Sequence, residues 1–478
     1  MGRNPAVLVS DSEDDLPPIY NEDTLPDLQN ADTNSTVSGN LREMLNCAAA
    51  LVLPVHSQGT RHTPGTNPPK DPWILDSMNP RALPEWMVDD QEPLVPEPDL
   101  EWTALNDDSQ QKRTADDVLQ LLKGLVEDNQ RMQTIRLRQL HVLEDMVRWT
   151  ERGHLSYKFP VKIAFLGQTG IDDKGLTRQT ATYLIQGLSR SPVFVGEVGR
   201  LTLTSDTSAL VAKDGGQCRC EVTGRLVGFI LTHAGLPVNL FSQSLARLLC
   251  GEYDCIDLAD CPDGQLRGQI QKVKDRDPRT FPSNEAQDLA EAVGFHGLLT
   301  PTNKDVLLEA SIAYRTSVSN RAQIQAFMKG LDETGVLSVL RGQSAAAVQL
   351  LSGSGIRPLT AGAVYDLFVV DFSVEGSNSR ADEEIIMLEL SFFLQACEQR
   401  ESSCSLADVL EFCSGSRTIP PGGLGGFNSL PTIAFRTSGL PTASTCACSL
   451  TLPRHLPENS TLKDVMEMAI VSSPNFDD

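Results

Sequence analysis

Aromatic and basic residues are scarce in this 478-residue chain. Phe, Trp and Tyr together make up 5% of it, histidine occurs seven times, and 40 Lys and Arg stand against 63 Asp and Glu, a formal charge of −23. So acidic a surface repels phosphate backbones and anionic headgroups, so neither nucleic acid nor membrane is an expected partner. No run of 18 apolar residues exists, so no helix is expected to span a bilayer. No basic stretch followed by an apolar one opens the chain, so no secretory signal is expected, and Met1-Gly2 is followed at position 6 by Ala6 where a myristoylation signal needs a hydroxyl. The 11 cysteines are odd in number and irregularly spaced, which is no disulfide framework; a reducing compartment, cytoplasmic or nuclear, is the expectation.

Ligand motifs are also lacking. Neither G-x-G-x-x-G after a strand nor G-x-x-x-x-G-K-[ST] occurs, and the glycine run at 422–426 has no lysine, so no nucleotide cofactor is expected. Cys218-x-Cys220 and Cys446-x-Cys448 are too closely spaced for a usual zinc pair. Cys250, Cys255 and Cys261 lack a second pair, so no metal is expected either. His233 and His296 sit among apolar residues and read as core or surface residues rather than bases.

What is there divides unevenly. Five Lys and Arg against twenty Asp and Glu fall in residues 1–110, which are rich in Pro, Asn, Ser and Thr and show no hydrophobic period. Such a segment buries too little apolar surface to offset chain entropy and is expected to be a disordered, acidic interaction segment. Two short motifs lie in it. Val7, Leu8 and Val9 precede an acidic run, Asp11 to Asp15. The triplet resembles a SUMO-interacting motif, a β-prone segment that adds to a sheet edge while carboxylates steer it to a basic rim; a chance aliphatic cluster in an acidic tail reads equally well. Pro17, Pro18 and Tyr20 match the P-P-x-Y ligand of WW domains, with a pre-formed polyproline turn and an aromatic anchor. Leu45–Pro54 is an apolar island too short to span a membrane.

From Thr114 the pattern becomes that of a folded α+β protein. Thr114 with Asp117 predicts a capped helix start, and apolar residues from Val118 to Val147 recur mostly at three- and four-residue steps, which predicts one long amphipathic helix within 111–152. A buried strand is expected at 161–166, and helices at 180–188, 241–250, 285–293, 321–329, 383–398, 406–413 and 462–469. Residues 224–232 read as strand or helix, and 431–436 as a strand. Ser405 is a plausible cap. In Leu440–Pro453 the thiol of Cys446 follows Ala443, Ser444 and Thr445, which put no bulk over it. On local composition an inert buried cysteine and a reactive thiol both remain open.

The order of short motifs across the chain narrows this. Phe165-Leu166-Gly167-Gln168 leads to Ile171-Asp172-Asp173-Lys174-Gly175-Leu176-Thr177-Arg178; Ala234-Gly235-Leu236-Pro237 and Leu359-Thr360 follow; then come Gly376-Ser377-Asn378-Ser379-Arg380, Leu410-Glu411-Phe412 with Gly415, Pro420-Pro421-Gly422-Gly423 and Ile433-Ala434-Phe435. The series closes on Leu440-Pro441-Thr442-Ala443-Ser444-Thr445-Cys446 and Leu450 to Pro453. It resembles the HECT ubiquitin ligase family, nearest to compact fish proteins related to the cell-cycle-phase-specific HECT ligases. The family usually carries Phe-Asn after its cysteine, where this chain has Ala447-Cys448.

The resemblance implies a bilobal domain, with a large, mostly helical N-lobe at 153–374 and a small α/β C-lobe at 375–478. It places Cys446 at the position of the family nucleophile, which carries a glycyl thioester. Thr445 and Ser444 become candidates to stabilise the oxyanion, and a hinge is expected near Gly376–Asn378. The implied partners are ubiquitin, a ubiquitin-conjugating enzyme sought near Tyr253–Pro301, and protein substrates, besides SUMO and WW-domain proteins through the acidic segment. The alternative is a HECT-like adaptor that has lost charging and only binds such partners.

Overall fold

The computed structural model describes residues 113–127, 132–167, 174–211, 217–252, 257–356, 358–424 and 430–473. The acidic residues 1–110, with Val7, Leu8, Val9, Pro17, Pro18, Tyr20 and the island at 45–54, lie outside them.

The chain first forms helix α1 (Ala115–Lys123), opened by a reciprocal capping box: Thr114 Oγ1 accepts from Asp117 N, and Asp117 accepts from Thr114 N. Strand β1 (Gln133–Leu137) follows, then helix α2 (Val142–Glu151). The single long helix expected over this stretch is therefore corrected to helix, strand, helix. In β1, Ile135 and Leu137 are buried and Arg136 is exposed, a period of two, and the strand pairs in parallel with β2 (Val161–Phe165). Gly124 ends α1, and backbone pairing with a partner 28 positions on overrides the mixed spacing between.

Helix α3 (Gly175–Leu188), the short antiparallel pair β3 (Phe194–Val195) and β4 (Thr202–Leu203), and helix α4 (Arg219–Phe229) come next. α4 continues as a π-helical turn, Ile230–Ala234, so the segment left between strand and helix is helical. All residues of α4 from Cys220 onward are buried. After α5 (Gln243–Leu249), helices α6 (Gly264–Asp275), α7 (Asn284–Val293) and α8 (Lys304–Ala313) pack around a small core of their own, with Leu266, Ile270, Val273, Leu289 and Leu307 inside it. Helix α9 (Arg321–Asp332) returns to the main core and crosses α4 very closely. Gly224 of α4 faces Phe327 O, and Gly330 of α9 faces Glu221 O, each so near that a Cβ would collide with the carbonyl. Helices α10 (Val336–Leu340) and α11 (Ser344–Leu351) complete this part.

The C-terminal part is a four-stranded sheet with helices against it. Helix α12 (Ala361–Tyr365) leads into β5 (Val369–Val370); α13 (Asn378–Gln399) and α14 (Leu406–Ser414) precede β6 (Thr432–Arg436), β7 (Thr442–Ser444) and β8 (Ser449–Pro453), and α15 (Leu462–Ser472) closes it. The order is β5-β6-β8-β7, with β5, β6 and β8 parallel and β7 antiparallel to β8. Because β5 already belongs to this sheet, the turn at Gly376 lies inside the C-terminal unit. The strand before that turn, Val369–Val370, thus pairs within the same sheet as β6 and β8. Glu383 locks the turn, accepting from Ser373 N at 2.7 Å and from Arg454 Nε at 2.7 Å.

Candidate active site

β7 and β8 form a hairpin joined by a four-residue turn, Thr445 to Cys448, which holds Cys446 half-exposed near its tip. The hairpin is pinned on both sides. β8 pairs with β6 along its length, and Leu450 and Leu452 are buried beneath it. Ser444 Oγ accepts from Ala447 N at 3.4 Å, so its hydroxyl closes the turn. Cys448 is fully buried and adopts the left-handed conformation, φ +50°. That backbone suits asparagine better than most residues, which gives a physical reason for the asparagine the family pattern carries there.

Across from the turn stands the start of α3. A Cβ added to Gly175 would lie 2.5 Å from Thr445 Oγ1 and 2.7 Å from Cys446 Sγ, so the helix backbone abuts the thiol directly. One turn on, Arg178 is buried and reaches into the C-terminal unit. Its Nε donates to Ser414 O at 2.9 Å, one of its terminal nitrogens donates to Thr445 O, and the same nitrogen lies 3.6 Å from Cys448 Sγ. Another turn on, Thr182 Oγ1 donates to Gly415 O at 2.7 Å. Gly415 is a left-handed helix cap, φ +76°, and a Cβ on it would stand 3.0 Å from Gly175 O. Gly175, Arg178 and Thr182 thus form one face of α3, at steps of three and four.

Basic side chains gather near the head of α3, with the Asp116 carboxylate beside them. Burial, with Lys174 and Arg178 nearby, pushes the Lys123 ammonium down, which places three basic side chains within electrostatic reach of one another at the head of α3. The positive end of the helix adds to that field. The neighbouring thiols behave differently. Burial pushes Cys448 up against the pull of the Arg178 cation, and burial pushes Cys413 up to about 12. Both are held as neutral, packed thiols, whereas Cys446 is the half-exposed member of the group.

Of the residues singled out from sequence, the structure brings together Ser444, Thr445 and Cys446, and adds Gly175, Arg178 and Thr182. Arg178 stood in the opening motif without a role; nothing in spacing alone shows that a residue 268 positions before Cys446 reaches the same turn. Gln168, Ile171, Asp172 and Asp173 of that motif are outside the described residues. His233 stacks on Phe229 at 4.8 Å between ring centroids and its Nε2 donates to Phe159 O at 3.1 Å, so it packs against the core, whereas His296 is exposed. Cys250 packs in the main core and Cys261 in the small one. Among the described residues no group of three His, Cys, Asp or Glu is placed to hold a metal ion, and no helix is long and apolar enough to cross a membrane.

Fold and site together define an α+β protein that presents a half-exposed thiol against the positive end of a helix, an arrangement suited to carrying an acyl group on sulfur. Residues 200–477 match the HECT-domain (ubiquitin-transferase) family, more than half of the chain, so the chain belongs to that family. It is 24% identical over 304 residues to the G2/M phase-specific E3 ubiquitin-protein ligase of Macaca fascicularis and 23% identical over 304 residues to that of Homo sapiens, in each case across 62% of this chain and 40% of the relative. To the protein of the same description from Gallus gallus it is 25% identical over 260 residues, 52% of this chain and 31% of the relative. The chain thus matches less than half the length of these curated relatives.

Proposed function

We propose that the chain is a ubiquitin-protein ligase that carries ubiquitin as a thioester on Cys446. The observation that supports this most is the half-exposed Cys446 at the tip of a rigid hairpin, beside two thiols that burial keeps neutral. In the first step the Cys446 thiolate attacks the ubiquitin C-terminal carbonyl held on a conjugating enzyme; the new C–S bond forms as the old one breaks, and the donor leaves as thiolate. In the second, a substrate lysine amine attacks the new thioester. The C–N bond forms, the C–S bond breaks, Cys446 leaves as thiolate and the amine proton passes to water.

On this reading the parts before and after the segment upstream of Val369 are the N- and C-lobes of a bilobal domain. The three-helix body of α6, α7 and α8 is the docking place for the charged conjugating enzyme. Its separate small core makes it a compact body of its own, and Leu298, 79% exposed between α7 and α8, offers an apolar anchor. The motifs Val7-Leu8-Val9 and Pro17-Pro18-x-Tyr20 would recruit SUMO-modified or WW-domain partners, and the work would be done in the cytoplasm or nucleus. The test is multiple-turnover modification of substrate lysine with charged conjugating enzymes of several classes. Wild-type chain should build lysine-linked products and Cys446→Ala should build none; equal output from the two would replace the ligase reading with that of an adaptor.

A further inference from the structure

The contact between α3 and the Cys446 turn contains a buried cation that the two-step scheme does not use. Arg178 lies on the α3 face with Gly175 and Thr182 and spans two separate segments of the C-terminal unit, the end of α14 through Ser414 O and the thiol turn through Thr445 O. Thr182 grips the first of these again at Gly415 O. A guanidinium is a rigid fork whose donors fix the spacing between acceptors. Here the two acceptors are the last carbonyl of one helix and the peptide carbonyl immediately before the thiol. The fork therefore sets where Cys446 Sγ stands relative to the α3 N-terminus.

We propose that Arg178 is a positioning residue for discharge of the thioester: it clamps the Thr445–Cys448 turn onto the head of α3, where helix dipole and cations stabilise the oxyanion formed when a lysine amine attacks. This rests on Cys446 being the acyl carrier. During that attack the carbonyl π pair moves to oxygen and returns as the C–S bond breaks, so negative charge develops beside the head of α3 at Gly175. Charging has a different requirement, because the thiol must then meet a donor held elsewhere. Arg178 thus supports the second half-reaction and is dispensable for the first.

The test separates the halves in the full-length chain. A pulse of charged conjugating enzyme loads Cys446, and a chase with free lysine measures discharge. Arg178→Ala should load within about twofold of wild type and discharge about tenfold more slowly, the effect expected when a charge-assisted hydrogen bond that orients a reacting group is lost. Arg178→Lys, which keeps the charge but not the fork, should recover part of the rate. Gly175→Ala reaches the same point without removing a buried charge. Alanine favours the helix, yet its methyl would stand 2.7 Å from both Cys446 N and Cys446 Sγ, so this variant too should load within about twofold of wild type and discharge about tenfold more slowly.

A ubiquitin-free readout accompanies these: amide exchange at 414–416 and 444–448 should quicken in both variants while exchange at the α4–α9 crossing stays at the wild-type rate. Wild-type discharge rates in both variants, or unchanged exchange, would overturn the proposal. So would equal loss of loading and discharge. A wild-type chain that no donor loads would contradict the acyl-carrier reading itself, and the exchange data would then still decide whether Arg178 clamps the turn.

Discussion

Gly175 and Cys446 meet so closely that a single methyl group on the glycine would stand 2.7 Å from the sulfur. They belong to units far apart in sequence, and the meeting depends on Arg178 and Thr182 lying on the same face of α3. The thiol is therefore set by tertiary contact as well as by its hairpin, and changes far from Cys446 should be felt there.

The crossing of α4 and α9 is set by glycine. Replacing Gly224 with alanine gains about 1 kcal/mol in helix propensity, but its methyl runs into Phe327 O, a backbone atom that cannot rotate away. Overpacking of this kind costs about 3 kcal/mol. Gly224→Ala should lower unfolding stability by roughly 2 kcal/mol in denaturant titration, as the difference of those two effects; unchanged stability would mean the helices separate without loss.

Arg225, buried in α4, holds Glu221 at 2.9 Å and Glu333 at 2.6 Å, and Lys329 joins Glu221 at 3.1 Å. Removing Arg225 leaves the largely buried Glu221 with only the exposed Lys329 as counter-charge, and Arg225→Ala should cost about 2 kcal/mol. The double variant with Glu221→Ala should be less destabilised than the two single changes added together. Strict additivity in the double-mutant cycle would contradict coupling.

His233 is held down at about 4 by burial, against the opposing effect of its bond to Phe159 O. The folded state thus keeps it neutral where the unfolded chain, near 6.5, already takes a proton. Stability is full above about pH 6.5 and falls as pH drops towards 4, by roughly 3 kcal/mol from this group. His233→Gln should flatten that slope between pH 6.5 and 4; an unchanged slope would assign the loss to other groups.

Cys448 is fully buried at φ +50°. A β-branched side chain is strained in that conformation, while asparagine tolerates it. Cys448→Asn should fall within about 1 kcal/mol of wild type, and Cys448→Val should lose about 2 kcal/mol or more. Melting temperatures in the reverse order would show that thiol packing, and not backbone conformation, governs the position.

Much of this architecture was legible in the sequence where one cause dominates. The caps at Thr114 and Ser405, the strand at 161–165 and the long helix ending at Gln399 follow from side-chain bonds or a clear period. The strand Gln133–Leu137 was hidden because its neighbours continue a helical spacing and its partner lies beyond the next helix. Helices α6 and α8 share the small core with α7; the apolar step of four and three in α6, Leu266, Ile270 and Val273, is diluted by Gly264, Gly268 and its polar residues. The thiol was found through the order of motifs. The residues that seat it, Gly175, Arg178 and Thr182, carry no local signal, since their role exists only once the C-terminal unit packs on α3.

The central claim is that ubiquitin is carried on the Cys446 sulfur, and the most direct measurement is the chemistry of the trapped adduct. After one turnover with a charged conjugating enzyme, wild-type chain should gain the mass of one ubiquitin that thiol reductant removes. Cys446→Ser should hold an adduct that reductant leaves and alkali cleaves, as an oxyester does, and Cys446→Ala should hold none. An adduct on the Cys446→Ala chain, or no reductant-sensitive adduct on wild type with any conjugating enzyme, would contradict the account.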